Sequence, residues 1–187
     1  MTDPLLAYEG AVVGYAAPVA GPVSFAVARG EAVGLWGPNG CGKTTLLNAL
    51  CGSARLLGGR IERASGLRVA LQRQAPLPAA GLPLTGRDLL RLTGAAGALW
   101  PPGAAFGGRR LDRLSGGQLQ FAQVWACIAA PVDLVLLDEP TGNLDPAATR
   151  RLEDALLQRR AGLGLLLVSH ERPFLERVCT EIVDLAP

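Results

Sequence analysis

One nine-residue segment constrains the fold of this chain more than any other feature: residues 37–45 read GPNGCGKTT. The segment fits the pattern G-x-x-x-x-G-K-[ST]. It follows an apolar stretch, EAVGLW, that predicts a strand, and it runs into KTTLLNALCG, which predicts a helix closed by Gly52. Glycines let consecutive backbone N–H groups turn toward one anion, and the following helix points its positive end at the same place. The segment therefore predicts a phosphate-binding loop in an α/β fold.

Two side chains of this loop carry most of its expected chemistry. Lys43 supplies a positive charge for the β- and γ-phosphates of a nucleotide, and the Thr44 hydroxyl is a candidate ligand of Mg²⁺. The candidate phosphate-binding residues are Gly37, Pro38, Asn39, Gly40, Cys41, Gly42, Lys43, Thr44 and Thr45.

Strands and helices alternate along the rest of the chain. Two strands are predicted from the nearly continuous apolar runs in VDLVLLDEP and GLLLVSH, as in strands covered on both faces. A helix is predicted between them from DPAATRRLEDALLQRR, with Asp145 as N-cap and Pro146 at its first position. Further strands are predicted from PVSFAV, GGRIER, GLRVALQ and EIVDL, further helices from TGRDLLRLTG, SGGQLQFAQVWACIAA and ERPFLERV, and a loop at 94–108. The alternation indicates a mostly parallel sheet, and 187 residues suit one domain.

An acidic pair ends one of the buried strands. Asp138 follows LVLL directly, a position from which a carboxylate holds Mg²⁺ through water. The adjacent Glu139 is a candidate base that polarises a water for attack on the γ-phosphate. Together with the phosphate loop, the pair predicts nucleotide hydrolysis.

A third motif, LSGGQ at residues 114–118, points to a family. With GPNGCGKTT, LLDEPTGNLD and VSH in this order, the chain resembles the nucleotide-binding subunit of ATP-binding cassette (ABC) transporters from Tyr15 to Leu185. The resemblance implies an α/β P-loop NTPase of the ABC ATPase type. It implies a mostly parallel core sheet, an N-terminal antiparallel β part, and a single domain over 1–187 with a shortened helical lobe at about 75–130.

The resemblance also implies a site shared by two copies, with ATP and Mg²⁺ as cofactors. Two such subunits, here expected to be identical, pair head to tail around each ATP. The signature residues of one copy then act on the nucleotide of the other, where Asp145 touches the opposite phosphate loop. His170 is expected to hold the γ-phosphate and the attacking water. The signature residues concerned are Ser115, Gly116, Gly117 and Gln118.

Two further positions follow from the resemblance and leave alternatives open. Tyr15 matches the aromatic that stacks on adenine, although Tyr8 lies nearby and an aromatic in a strand is often core. The family's glutamine that senses Mg²⁺ and contacts the membrane partner corresponds to Gln74, with Gln72 as the alternative in VALQRQ.

The chain departs from the family in two places. The family's two arginines on the signature helix are replaced by Phe121 and Ala126, and Trp125 adds another bulky apolar side chain. The segment between Gln74 and Ser115, which docks the membrane subunit in the family, is short. The catalytic residues are untouched, so we expect activity to survive.

The net charge and the apolar segments of the chain limit which kinds of partner we expect it to bind. A net charge of +2 gives little support to nucleic-acid binding, and no apolar run approaches the ~18–20 residues of a membrane span. The start, MTDPLLAYEG, lacks the features of a signal peptide, so we expect a cytoplasmic subunit on the inner face of the cell membrane, bound to a transmembrane subunit. LPLTGRDLLRL and GQLQ resemble the corresponding segments of importers of metal ions such as zinc or manganese. The alternative is a soluble ABC ATPase of the ribosome-associated type, suggested by SHERPFLERVCTEIVDL.

Overall fold

The computed structural model describes residues 3–74, 83–101 and 106–185. Within these ranges eight strands and five helices follow one another, with a short 3-10 turn at Leu111–Arg113. The strands are β1 (Leu6–Gly14), β2 (Pro18–Val27), β3 (Ala32–Trp36), β4 (Arg55–Arg63), β5 (Val69–Gln72), β6 (Leu134–Asp138), β7 (Gly164–Ser169) and β8 (Glu181–Asp184); the helices are α1 (Lys43–Leu50), α2 (Gly86–Leu92), α3 (Gly116–Ala129), α4 (Pro146–Arg160) and α5 (Arg172–Val178).

The strands form two sheets. β2, β1 and β4 make an antiparallel sheet with β1 in the middle. The second sheet has the order β5-β6-β7-β3-β8, and each neighbouring pair in it is parallel. These sheets confirm the expected architecture, an α/β fold with a parallel core sheet and an N-terminal antiparallel part.

The core sheet is buried on both faces, which explains its apolar strands. Along β6, Leu134 and Leu136 pack toward α1 and the antiparallel sheet, whereas Val135 and Leu137 pack toward α3, α4 and α5. β7 divides its side chains in the same way. Side chains of a strand alternate between faces, so a strand covered on both sides has no face left for polar residues.

The helices begin where the sequence predicts. The side chains of Thr85 and Ser115 each accept a hydrogen bond from the backbone N–H three residues on and form a capping box, and Asp145 caps α4 in front of Pro146. α2 packs on α3 through Leu90 and Ala126. The predicted loop at 94–108 contains no helix or strand in its described parts, 94–101 and 106–108. None of the helices in the described ranges has the length and apolarity that crossing a membrane would take.

Candidate functional site

The phosphate loop lies between the end of β3 and the start of α1. Gly42 caps α1 with a φ of 94°, and a Cβ at this position would come within 2.4 Å of the Ala20 Cβ, so only glycine fits here. The Lys43 ammonium is buried and donates to the carbonyl oxygens of Gly37 (2.7 Å) and Pro38 (2.9 Å). The lysine is thus held on the loop itself, in place for an anion.

Most of the predicted loop residues surround one cavity. It is lined by Asn39, Gly40, Gly42, Lys43, Thr44, Thr45, Gln74 and Glu139, together with Val19. Pro38 and Cys41 line a neighbouring cavity beside Ala20 and Leu185.

Two of the predicted magnesium ligands, Thr44 and Asp138, are in direct contact. The Thr44 hydroxyl donates to the Asp138 carboxylate, with distances of 3.0 and 3.2 Å to its two oxygens. Burial raises the pKa of Asp138 and the charge of Glu139 raises it further, although the hydrogen bond from Thr44 opposes both. A divalent cation at this position would offset the cost of the buried negative charge.

Glu139 is held by the end of β7. Its Oε2 lies 2.9 Å from Nδ1 of His170, and it accepts weaker hydrogen bonds from the Ser169 hydroxyl (3.3 Å) and the His170 backbone N–H (3.4 Å). Glu139 is 8% exposed and has a φ of 49°, a backbone conformation that is uncommon for residues other than glycine. Such conformations cost free energy and are found most often at functional sites. The predicted base and the predicted histidine are thus in contact.

The two candidate glutamines lie in different surroundings. Gln74 lines the phosphate-loop cavity, as expected for a residue that senses a bound metal. Gln72 is buried at the end of β5; its amide donates to the Arg73 carbonyl, and its Oε1 has no hydrogen-bond partner among the described residues. This placement favours Gln74, whose role stays a prediction.

The signature residues line a cavity of their own. Ser115, Gly117 and Gln118 border it together with Asp145 and Arg151. Ser115 and Gln118 exchange hydrogen bonds at the N-terminus of α3, which begins at Gly116. Asp145 accepts from the Ala148 backbone N–H at 2.7 Å. Within one chain, therefore, the signature and the phosphate loop present two separate surfaces.

The two aromatic candidates are distinguished by exposure. Tyr8 is 1% exposed, stacks on Phe25 and donates to the Leu46 carbonyl, so it is a core residue. Tyr15 is 50% exposed, and its hydroxyl accepts from Asn48 beside residues 52–55. It does not line the phosphate-loop cavity, so its contact with adenine stays a prediction.

The departures from the family are accommodated by packing. Phe121 is buried against Phe106, with ring centroids 6.1 Å apart, and Ala126 is buried under α2. Leu89 lines an apolar cavity between β5, α2 and α3. The segment LPLTGRDLLRL holds two earlier leucines: Leu84 is half-buried, and Leu82 lies outside the described residues.

Ser169 is a site residue that the sequence reasoning missed. It is fully buried, donates to Glu139, and accepts from the Glu171 backbone N–H at 3.0 Å. The available signal was a polar residue at the end of the apolar strand GLLLVS, directly before His170.

Comparisons with known proteins agree with this geometry. The family described as ABC transporter matches residues 20–77. The zinc import ATP-binding protein ZnuC of Paracoccus denitrificans is 36% identical over 179 residues, which cover 90% of this chain and 70% of that protein. The protein of the same name from Rhizobium etli is 39% identical over 158 residues, and the chain spans about half (51%) of its length. A solved structure, "Structure of ATP binding subunit of ABC transporter", is 28% identical, with a TM-score of 0.80 over 96% of this chain and 85% of that one.

Proposed function

The chain belongs to the family of ATP-binding subunits of ABC transporters, and from this premise we propose that it hydrolyses ATP to drive the import of a metal ion, first of all zinc, through a separate membrane subunit. The names of the two relatives support the choice of zinc. The observation that carries hydrolysis is the meeting of Lys43, Thr44 and Glu139 around one cavity.

Mg²⁺ fits the oxygen ligands offered by Thr44, which lines this cavity, and by Asp138, which contacts Thr44. Thr44 and Asp138 already touch through oxygen atoms, and hard oxygen ligands are those that Mg²⁺ prefers. Gln74 lines the same cavity and is the third candidate ligand. When bound, the ion neutralises charge on the β- and γ-phosphates, and Lys43 adds its charge from the loop.

Glu139 and His170 act on the attacking water. The Glu139 carboxylate takes the proton of the water while the water oxygen bonds to the γ-phosphorus, and the bond to the β-phosphate oxygen breaks to leave ADP and phosphate. His170, which touches Glu139 in this structure, then holds the γ-phosphate and the water. Tyr15 stacks on the adenine ring.

Two copies complete each site. Ser115, Gly117 and Asp145 line a cavity apart from Lys43, which supports their action on the nucleotide of a second copy. The N-terminus of α3 is suited to a phosphate because the helix dipole favours negative charge there. Gly116 and Gln118 belong to the same surface.

The membrane partner docks on the shortened helical lobe, beside α2. The apolar cavity beside Leu89 suits a helix of a transmembrane subunit. On this proposal the chain works at the inner face of the cell membrane, and no nucleic-acid partner is expected.

The shared site is tested by mixing two inactive variants. A subunit with Lys43→Ala and a subunit with Ser115→Arg put both defects in one site of a mixed dimer and leave the other site intact. We expect the mixture to regain part of the ATPase activity that each variant lacks alone. If no mixing ratio restores phosphate release, head-to-tail pairing with independent sites is wrong.

The cargo is tested in cells of the source organism whose own copy carries Lys43→Ala. Uptake of radioactive zinc should fall to background, and uptake of radioactive manganese serves as the comparison. Unchanged uptake of both metals, with a chain that sediments with ribosomes, would contradict metal import and favour a soluble ATPase of the ribosome-associated type.

A further inference from the structure

Trp36 stands at the junction between the phosphate loop and the segment that carries His170. It is the last residue of β3, directly before Gly37, and its indole N–H donates to the backbone carbonyl oxygen of His170 at 3.3 Å. β3 lies next to β7 in the core sheet, where Trp36 pairs with Ser169. One side chain therefore joins two segments that are 134 residues apart in sequence.

The indole ring has a second contact, with Arg172. The Arg172 guanidinium lies 4.9 Å from the ring centroid, an arrangement in which the cation is attracted to the face of the ring. Arg172 is itself fixed by Glu176 at 3.0 Å. The backbone of Trp36 is bonded too, because its carbonyl accepts from the Leu185 N–H at 2.8 Å.

His170 is thus anchored at both ends. Its imidazole contacts the Glu139 carboxylate, and its carbonyl accepts from Trp36. We propose that Trp36 is a positioning residue that couples the phosphate loop to the orientation of His170. This inference rests on the proposed function, in which His170 acts on the γ-phosphate and the attacking water.

If Trp36 positions His170, removing its N–H should lower the rate of ATP hydrolysis without weakening the binding of ATP. Trp36→Phe keeps an aromatic ring under Arg172 but removes the N–H, so the His170 carbonyl loses its donor. The loss of one neutral hydrogen bond corresponds to roughly a two- to tenfold lower kcat, and we expect KM for ATP to stay within about twofold.

Trp125→Phe is the matched control. The indole nitrogen of Trp125 is buried and has no hydrogen-bond partner among the described residues, so the same substitution removes no hydrogen bond. We expect it to leave both kcat and KM of the full chain unchanged.

Fluorescence gives a readout that does not require a change at Trp36. The chain has three tryptophans, so Trp100→Phe with Trp125→Phe leaves Trp36 as the sole indole. Addition of ATP and Mg²⁺ should change its emission, because occupancy of the loop alters the surroundings of the indole.

The outcomes separate this inference from the proposed function. A selective loss of kcat in Trp36→Phe together with an emission change supports it. Equal kcat in Trp36→Phe and Trp125→Phe, or an emission that ATP leaves unchanged, would overturn it. If the unaltered chain binds ATP but releases no phosphate, the proposed function fails and the role of Trp36 in turnover fails with it, whereas equal kcat of the two variants in an active chain overturns this inference alone.

Discussion

The substitution Gly117→Ala tests how closely the signature helix packs on the segment after β6. A Cβ on Gly117 would lie 2.3 Å from the Asn143 carbonyl oxygen, whereas real Cβ atoms keep at least 3.0 Å. Neither the added Cβ nor the Asn143 oxygen is the end of a flexible side chain. The backbone at Gly117 and the backbone at Asn143 would therefore have to move apart by about 0.7 Å. Overpacking of this kind costs about 1–3 kcal/mol, which in a domain of this size lowers Tm by about 2–12 °C.

The neighbouring glycine provides the control. A Cβ on Gly116 would meet nothing within 4 Å, so Gly116→Ala should leave Tm within about 2 °C of the unaltered chain. Thermal unfolding of the full chain without nucleotide, followed by circular dichroism, measures both variants apart from any effect on ATP. Equal Tm values for the two variants would refute the argument from close packing.

Two other predictions concern Asp138 and Leu89. Because burial raises the pKa of Asp138 above its unfolded value, the folded state holds this proton more tightly, and stability falls as pH rises from the unfolded to the folded pKa. Asp138→Asn should therefore raise Tm near neutral pH without Mg²⁺ while abolishing phosphate release; a lower Tm there, measured by thermal unfolding, would contradict the sign. Leu89→Glu puts a charge into the apolar cavity between β5, α2 and α3 and should abolish co-purification with the membrane subunit while basal ATPase survives, whereas Leu92→Glu, at a position 71% exposed on the same helix, should retain both. If Leu89→Glu co-purifies normally with the membrane subunit, this cavity is not part of the docking surface.

Features with local causes were predictable from the sequence. The caps at Thr85, Ser115 and Asp145 depend on side chains that reach a backbone N–H three residues away, so the local sequence is enough to predict them. The apolar strands β6 and β7 were equally clear, because burial on both faces leaves a continuous apolar run.

Features that depend on strand order were not predictable. The contacts of Ser169 with Glu139, and of Trp36 with His170, exist because β7 lies between β6 and β3 in the core sheet. That order pairs segments about 30 and more than 100 residues apart, which no local pattern encodes. The first strand, β1, was not predicted separately; its pairing with β2 and β4 is interrupted by register shifts that obscure an alternating pattern.

The most direct test of the account is phosphate release by Glu139→Gln. The substitution keeps the size of the side chain and one acceptor oxygen but removes the carboxylate that serves as the base, so turnover should fall by about 10²–10⁴-fold while ATP still binds. On the proposed mechanism two closed subunits separate only after hydrolysis, so the variant should also elute as a dimer in size-exclusion chromatography with ATP and Mg²⁺. Near-normal phosphate release from Glu139→Gln would contradict the assignment of Glu139 as the base and with it the proposed mechanism.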